Sequence, residues 1–398
     1  MQTRRTNFRW ILYVVILVLF TGAMISVAIG QQNANQLSQV QPQAVVIQQQ
    51  EKPRIQMAIL LDTSSSMDGL IDQTRNQLWQ VVNEFNKAKR NGVTPDLEVA
   101  VYEYGNNNLD QRTGYIRQVV SFTPDLDRVS EALFSLTTNG GDEYCGYAIQ
   151  TAVNDLQWSQ SERDIKVLFI AGNEPFTQGS VSFKEAINQA KARDITVNTI
   201  HAGPYDEGIE QSWQAGALLA GGNYMNINQD HQVVHIVAPQ DQEIAELNQQ
   251  LNETYVPYGS KGVESKERQI AQDSNSSNIS IGMLAKRAKT KASSFYDSSE
   301  WDLVDALEKN KLDMDDVKKE MLPSALQPMT EEEVSAYVTT KADERKEIKA
   351  KLAELVKERD VYVQEQKKEL AEAESETIEN ALISSVKKQA EKKQYNFQ

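Results

Sequence analysis

At 398 residues the chain has room for one large or two moderate domains, and 41 Lys and Arg against 56 Asp and Glu give it a net charge of −15, which sets a nucleic-acid-binding surface aside. The single cysteine, Cys145, excludes an intramolecular disulfide and every multi-cysteine zinc site. Stability must therefore come from buried apolar surface, and with only His201, His231 and His235 to choose from, a catalytic imidazole has few candidates.

Arg4, Arg5 and Arg9 precede an apolar run from Trp10 to Ile29 that contains no charged residue. A run of about 20 residues suffices for a helix to cross the hydrocarbon of a bilayer, and the basic flank is expected to stay in the cytoplasm, with everything after Gly30 outside it. The competing expectation is a signal peptide, since Ala28–Ile29–Gly30 offers small residues at the spacing a signal peptidase prefers. The run exceeds the ~7–15 residues of a usual signal core, which favours the uncleaved anchor. Both readings place the remainder outside the cytoplasm, in a periplasmic or cell-surface setting, either as a single-pass membrane protein or released after cleavage. Residues 31–52 are rich in Gln, Asn, Ala and Val and read as a flexible spacer.

From Arg54 onward strand-like and helix-like patterns alternate. Ile55–Leu61 is a nearly continuous apolar run, as expected of a strand buried on both faces. Residues 69–90 carry helical spacing through Leu70, Leu78, Val81, Val82 and Phe85, and strands follow at Leu97–Tyr102 and Ile116–Phe122. Helices are predicted from Asp125 through Leu136 and over 146–158, a strand at Val167–Ile170, a helix at Phe183–Ala192 and a strand at Ile195–Ile200. A helix at Ile209–Ala220, a short strand at His235–Ala238 and a helix at Gln242–Tyr255 close the series. Such alternation predicts an α/β fold, a doubly wound and mostly parallel sheet spanning residues 53–258. Ligands of such sheets bind beyond the carboxyl ends of the strands, so the loops there are where chemistry is expected.

Residues 259–298 are polar, with Asp273–Asn278 reading as a loop, and predict a linker. Residues 299–398 read as a helical tail. Ser299 with Asp302 and Thr330 with Glu333 resemble capping boxes, no Gly or Pro follows Pro328, and Val356, Val363 and Leu370 recur every seven residues. A helical hairpin or coiled coil follows, one that packs on the domain or on another copy.

The strongest local signal is Asp62–Thr63–Ser64–Ser65–Ser66, where the first buried strand ends. An aspartate and two serines at alternate positions can bring three oxygens to one point, which suits a hard cation such as magnesium. Here the sequence resembles the von Willebrand factor type A family over residues 54–258, whose metal-ion-dependent adhesion site begins with Asp-x-Ser-x-Ser; Asp62, Ser64 and Ser66 match it. Gly140–Gly141–Asp142–Glu143–Tyr144–Cys145–Gly146 aligns with the family's second loop and sets Glu143 where a threonine is usual. Phe169–Ile170–Ala171–Gly172 aligns with the third loop and sets Ala171 where an aspartate is usual; Asn173 or Glu174 could reach in. The resemblance thus implies a Mg2+ or other divalent cation held by Asp62, Ser64, Ser66 and Glu143, with an open position that an acidic side chain of a partner protein fills.

Each of these residues also has a plainer role. Ser64 or Ser66 could cap a helix starting near Asp68, Asp142 suits a turn, Cys145 a small buried side chain, and His201 a hydrogen-bonded structural imidazole. Trp213, Tyr224, Gly221 and Gly222 suit a helix end and its turn. The exported part contains no Gly-x-Ser-x-Gly, His-Glu-x-x-His, Gly-x-x-x-x-Gly-Lys or Gly-x-Gly-x-x-Gly motif, so no enzyme is expected. Protein recognition is the leading expectation. A structural scaffold with a metal-free site is the rival, and a magnesium-dependent phosphohydrolase with Asp62 as nucleophile is the least favoured. The N-terminal pattern carries its own test: the full chain should fractionate with membranes and expose residues beyond 31 to external protease, whereas recovery of a soluble form beginning at Gln31 would establish cleavage.

Overall fold

The computed structural model describes residues 52–67, 71, 79, 82–227, 236–370 and 378–397. The predicted anchor at 1–30 and nearly all of the spacer lie outside the described residues. Among the described residues no helix is long and apolar enough to cross a membrane.

Strand β1 (Arg54–Asp62) is the centre of a six-stranded sheet, together with β3 (Asp96–Tyr104), β4 (Ile116–Thr123), β5 (Ile165–Gly172), β6 (Thr196–Ala202) and β7 (Tyr224–Ile227), in the order β4-β3-β1-β5-β6-β7. All neighbours are parallel except β4, which runs antiparallel to β3 at one edge. The continuous apolar run of β1 is explained by its surroundings. Ile55, Met57, Ile59 and Leu61 enter one core with Leu126, Val129 and Leu133 of α1 (Leu126–Ser135). Ala58 and Leu60 enter a second core, with Ile149 and Val153 of α2 (Cys145–Asp155) and Ile187 of α3 (Phe183–Ala192). The period of two sends alternate residues to opposite faces, so both must be apolar. Helices α4 (Tyr205–Glu210) and α5 (Trp213–Leu219) follow β6.

The predicted elements through residue 202 stand close to their expected places. Of the helix expected over 69–90, Leu70, Leu78 and Val81 lie outside the described residues, while Val82 and Phe85 are buried helical residues. Its last turn is replaced by β2 (Ala88–Arg90). The strand expected at His235–Ala238 is not there: 236–238 have no regular structure, His235 lies outside the described residues, and the edge strand is β7, where Met225 and Ile227 point inward.

The polar stretch 259–298, predicted as a linker, is instead a pair of helices. Helix α7 (Gly262–Ile279) ends at Ser280, whose hydroxyl accepts from the Met283 amide at 3.0 Å and so caps α8 (Ile281–Ala292). Polar residues build this pair because they are satisfied by one another in the interior. Asp273 receives Arg287 at 2.6 Å and Lys291 at 2.8 Å, Arg287 also reaches Asp127 of α1 at 2.7 Å, and Ser130 of α1 donates to Gln272 at 3.0 Å. The two cations hold the Asp273 carboxyl well below the usual range despite its burial.

Helices α6 (Asp241–Glu253) and α9 (Leu303–Glu308) precede the long α10 (Glu331–Leu370), and α11 (Ile378–Lys392) with β8 (Tyr395–Phe397) ends the described chain. The capping box at Thr330 forms, its amide donating to Glu333 at 2.8 Å. The one expected at Ser299 does not; Asp302 caps α9 by accepting from the Asp305 amide at 2.9 Å. Leu352 and Val356 of α10 pack on Ile244 and Leu251 of α6 and on Ala288 of α8, so this part of the predicted stripe is covered by its own chain. Val386, Ala390 and Tyr395 join the same core as β1, and β8 pairs with β2. The described residues from 52 to 397 therefore form one compact unit.

Arg345 joins α10 to the rest. It is 2% exposed, bonds Asp302 and Asp305 at 2.6 Å each and the Thr254 carbonyl at 2.7 Å, and lies 4.1 Å from the centre of the Tyr255 ring. Removing one partner of such a pair strands buried charge, so Arg345→Ala should cost about 3–5 kcal/mol in urea unfolding. Lys341→Ala, which breaks a more exposed pair with Glu344 one turn away, should cost no more than about 1 kcal/mol. Equal effects would show that the Arg345 cluster does not fasten α10.

Candidate functional site

The C-terminal ends of β1, β3, β5 and β6 open on one pole of the sheet, and the loops there carry the predicted ligands. At the tip of β1, Asp62 is 0% exposed and its Oδ1 accepts the Ser64 amide at 2.7 Å. The chain then turns into a short 3-10 helix, Ser65–Met67, anchored by buried Met67. This turn leaves the Ser64 and Ser66 hydroxyls 3.1 Å apart. Glu143, in the loop before α2, is 3% exposed and its amide donates to the Gln178 side chain at 2.7 Å. Its carboxyl lies beside the Asp62 carboxyl and the Ser64 hydroxyl, close enough for them to influence its protonation. All four predicted ligands are thus together.

Two glycines make the approach possible. Gly105, at φ +77° just after β3, has no room for a side chain: a Cβ there would lie 2.7 Å from Asp62 Oδ1 and 2.8 Å from Glu143 Cγ. A Cβ on Gly141 would lie 2.5 Å from the Gly105 carbonyl. Neither the 105 loop nor Gln178 was indicated by the sequence; a glycine directly after a strand tip was the only available signal.

At the third loop the two small residues face opposite sides of the sheet. The Ala171 methyl packs in the core with Leu61 and Phe169, facing away from the site. Gly172 is the position that faces it, since a Cβ there would stand 3.2 Å from Asp62 Cβ and 2.5 Å from the Tyr104 hydroxyl. Position 172 rather than 171 thus faces the site, and Tyr104 fills the space beside it, donating to the Ala171 carbonyl at 2.9 Å. Of the two residues expected to reach in, Asn173 does: its Nδ2 donates to Ser66 Oγ at 2.9 Å, while Glu174 is exposed.

Asp62 Oδ2, Glu143 Oε2 and Asn173 Oδ1 are buried oxygens that have no hydrogen-bond donor among the described residues. Burial raises the Asp62 carboxyl well above its usual range, and the adjoining Glu143 carboxyl raises it further; burial likewise raises Glu143. Two carboxyls this close share a proton or need a cation. Among the described residues no three His, Cys, Asp or Glu side chains gather as a metal cluster. The donors here are two carboxylates, an amide oxygen and two hydroxyls, all hard oxygens, and they fit Mg2+, Mn2+ or Ca2+ better than zinc.

The remaining candidates fall into plainer roles. Asp142 is exposed and accepts the Tyr144 hydroxyl at 3.0 Å. Cys145 is buried, 3.6 Å from the Tyr104 hydroxyl, and burial pushes its thiol up, away from nucleophilic use. His201 was expected to be hydrogen-bonded, yet neither ring nitrogen has a partner among the described residues; burial lowers its pKa, and the ring lies against Trp213. Trp213 donates to the Glu174 carbonyl at 2.9 Å, and Gly221 takes the left-handed turn at φ +70°. The tip loops 105–115, 137–144, 173–182 and 203–212 contain no lysine to assist phosphoryl transfer at Asp62.

Residues 56–214 match the family model of the von Willebrand factor type A domain, and the chain carries such a domain there. No curated protein matches the chain. Among solved structures, proximal thread matrix protein 1 from the mussel byssus is 14% identical with a TM-score of 0.33, over 45% of this chain and 42% of that one, so the chain spans less than half the length of that protein. The VWA domain of SpRpn10 is 14% identical with a TM-score of 0.34, over 44% of this chain and 89% of that one. The conserved hypothetical protein BatB from Bacteroides thetaiotaomicron is 15% identical with a TM-score of 0.33, over 44% of this chain and 90% of that one.

The raised Asp62 carboxyl has a measurable sign. A carboxyl held above its unfolded value of about 3.9 leaves folding unpenalised below that pH and costs stability as pH rises through the folded value. In chelator, Asp62→Asn, which keeps the oxygen that accepts the Ser64 amide, should therefore be more stable than the wild type near pH 8, with the difference closing towards pH 4. A variant less stable than the wild type at pH 8 would mean that the pair is not strained by its charge.

Proposed function

We propose that the chain recognises another protein through a divalent cation held at the tip of β1, and that it does so from outside the cytoplasm, tethered by residues 10–29. The observation that carries this is the set of donorless buried oxygens, Asp62 Oδ2, Glu143 Oε2 and Asn173 Oδ1, joined through Ser64 and Ser66. Buried polar atoms are nearly always satisfied, and three unsatisfied oxygens on one contiguous path of contacts are what a hard cation would complete. A metal-free scaffold would instead retain two buried carboxyls at a cost in stability, with no return at neutral pH. When bound, the cation would supply positive charge and an open coordination position. The protein's share is to fix Asp62 by the Ser64 amide, Glu143 by Gln178 and the two serines by the 3-10 turn, keeping the donors in place before the cation arrives.

Calorimetric titration of Mg2+ and Mn2+ into the full chain tests this. The wild type should bind, Asp62→Ala and Glu143→Ala should abolish binding with the fold retained, and Asn173→Ala should weaken it several-fold. Ala171→Asp should unfold or destabilise the protein without tightening binding, because that side chain enters the apolar core. A wild type that binds neither ion would hand the case to the scaffold reading.

A further inference from the structure

The chain carries a net charge of −15, yet the opposite pole of the sheet, at the amino ends of the parallel strands, is positive. Lys89, Arg90, Arg163, Lys191, Arg193 and Lys392 stand there, and among the described residues none of the six has a carboxylate partner. Their contacts hold them to one end. Arg90 Nε donates to the Lys393 carbonyl at 3.0 Å, Lys393 donates to the Glu162 carbonyl at 2.8 Å and pairs with Asp194, and the Tyr395 hydroxyl reaches the Arg163 carbonyl at 3.2 Å and the Arg54 carbonyl at 3.4 Å. Asp96 and Asp164 are taken by Lys52 and Arg54. Asp155, Glu162 and Glu391 are exposed acids beside the six cations and leave the balance positive. Helix dipoles explain Lys191 and Lys392, each in or near a last turn, but not Lys89, Arg90 and Arg163, which lie on a strand and a loop.

Apolar surface projects from the same pole. Arg90 and Val93 exchange backbone hydrogen bonds at 2.9 and 3.0 Å across Asn91 and Gly92, at φ +51° and +78°, which makes a tight turn. This turn stands clear of the fold: a Cβ on Gly92 would meet nothing within 4 Å, and Val93 is 45% exposed. The polypeptide also enters here. Lys52 and Arg54 lead into β1 at this pole, and residues 30–51 are all that separate them from the apolar run 10–29. The Asp62 site lies at the far end of β1, about 30 Å away along a nine-residue strand.

Resting on the tether of the proposed function, we propose that this basic pole docks on the anionic headgroups of the membrane in which the chain is anchored, and so turns the Asp62 pole away from the bilayer. Lipid phosphates meet the unpaired Lys and Arg side chains, while Val93 enters the interface between them. The two ends of the sheet act together, because the exposed Asp110, Asp142 and Glu174 of the far loops are repelled by the same negative surface. Docking is screened by salt and needs no lipid-specific pocket.

The test uses the full chain reconstituted into vesicles, either phosphatidylcholine alone or with about one-third phosphatidylglycerol, carrying a fluorescent acceptor on a minor headgroup. A donor dye is placed at exposed Asn396→Cys on the basic pole or at Ser180→Cys on the far loops; Cys145 is buried and stays unlabelled. With phosphatidylglycerol, transfer from position 396 should exceed that from 180 by about twofold or more, and the excess should vanish in high salt. Lys89→Glu with Lys191→Glu and Lys392→Glu should abolish it. Lys318→Glu with Lys319→Glu and Lys346→Glu, an equal change of charge on exposed positions of the helical region, should not. Equal transfer from the two positions, or equal loss in the two triple variants, would overturn the proposal. Flotation with phosphatidylcholine vesicles reports the tether separately: a chain that floats there but shows equal transfer retains its anchor and loses the docking, whereas one that floats only with phosphatidylglycerol, and not as the first triple variant, retains the docking and loses the anchor.

Discussion

The structure depends on burying β1 from both sides. Its residues alternate between two cores, and each core needs a cover of its own. One is supplied by α2, α3 and α5. The other is completed from far along the chain, by Met283 of α8, by Phe295, and by Val386, Ala390 and Tyr395. The C-terminal region in this sense completes a layer, and α11 with β8 lies where it does because the sheet presents apolar surface that water would otherwise wet.

A strand so thoroughly enclosed delivers its last residue to a fixed place. Asp62 ends β1 between β3 and β5, with Tyr104, Gly172 and Gly105 packed around it, so its carboxyl has no freedom to turn to solvent. Burying a second carboxyl beside it costs stability in the isolated fold, and such strain is found where a ligand repays it. Tyr104 occupies the volume that a side chain at position 172 would need, and Glu143 from the opposite loop and Asn173 from the same loop bring further oxygens to this pole.

Sequence reading succeeded where the physics is local and periodic. The two-sided strand, the Asp-x-Ser-x-Ser tip and the threonine capping box are all decided by neighbours in sequence, and they stand where predicted. It failed for α7 and α8 because their inward residues are Gln269, Gln272, Asp273, Ser276, Arg287 and Lys291, which carry no apolar rhythm and are at home inside only because distant Asp127, Ser130, Asn248 and Tyr296 meet them. It misplaced β7 because a four-residue edge strand has too few residues to show a period. The register at Ala171 and Gly172 was likewise invisible, since small residues leave no trace of which face they take. Nor could residue types alone reveal the cluster around Arg345, whose partners are drawn from two separate segments, 254–255 and 302–305.

The contact of Tyr395 with the first strand sets a clock on biosynthesis. Its hydroxyl meets the Arg54 carbonyl across 341 residues of chain, and Val386 and Ala390 close the same core. A ribosome adding about 5–20 residues per second needs roughly 17–70 s to travel that interval. Throughout it, one side of β1 has been made but its cover is incomplete. The nascent chain therefore carries exposed aliphatic surface for most of its own translation, a window in which a chaperone that shields such surface would decide how much protein reaches the native state, and in which slowing elongation would favour aggregation.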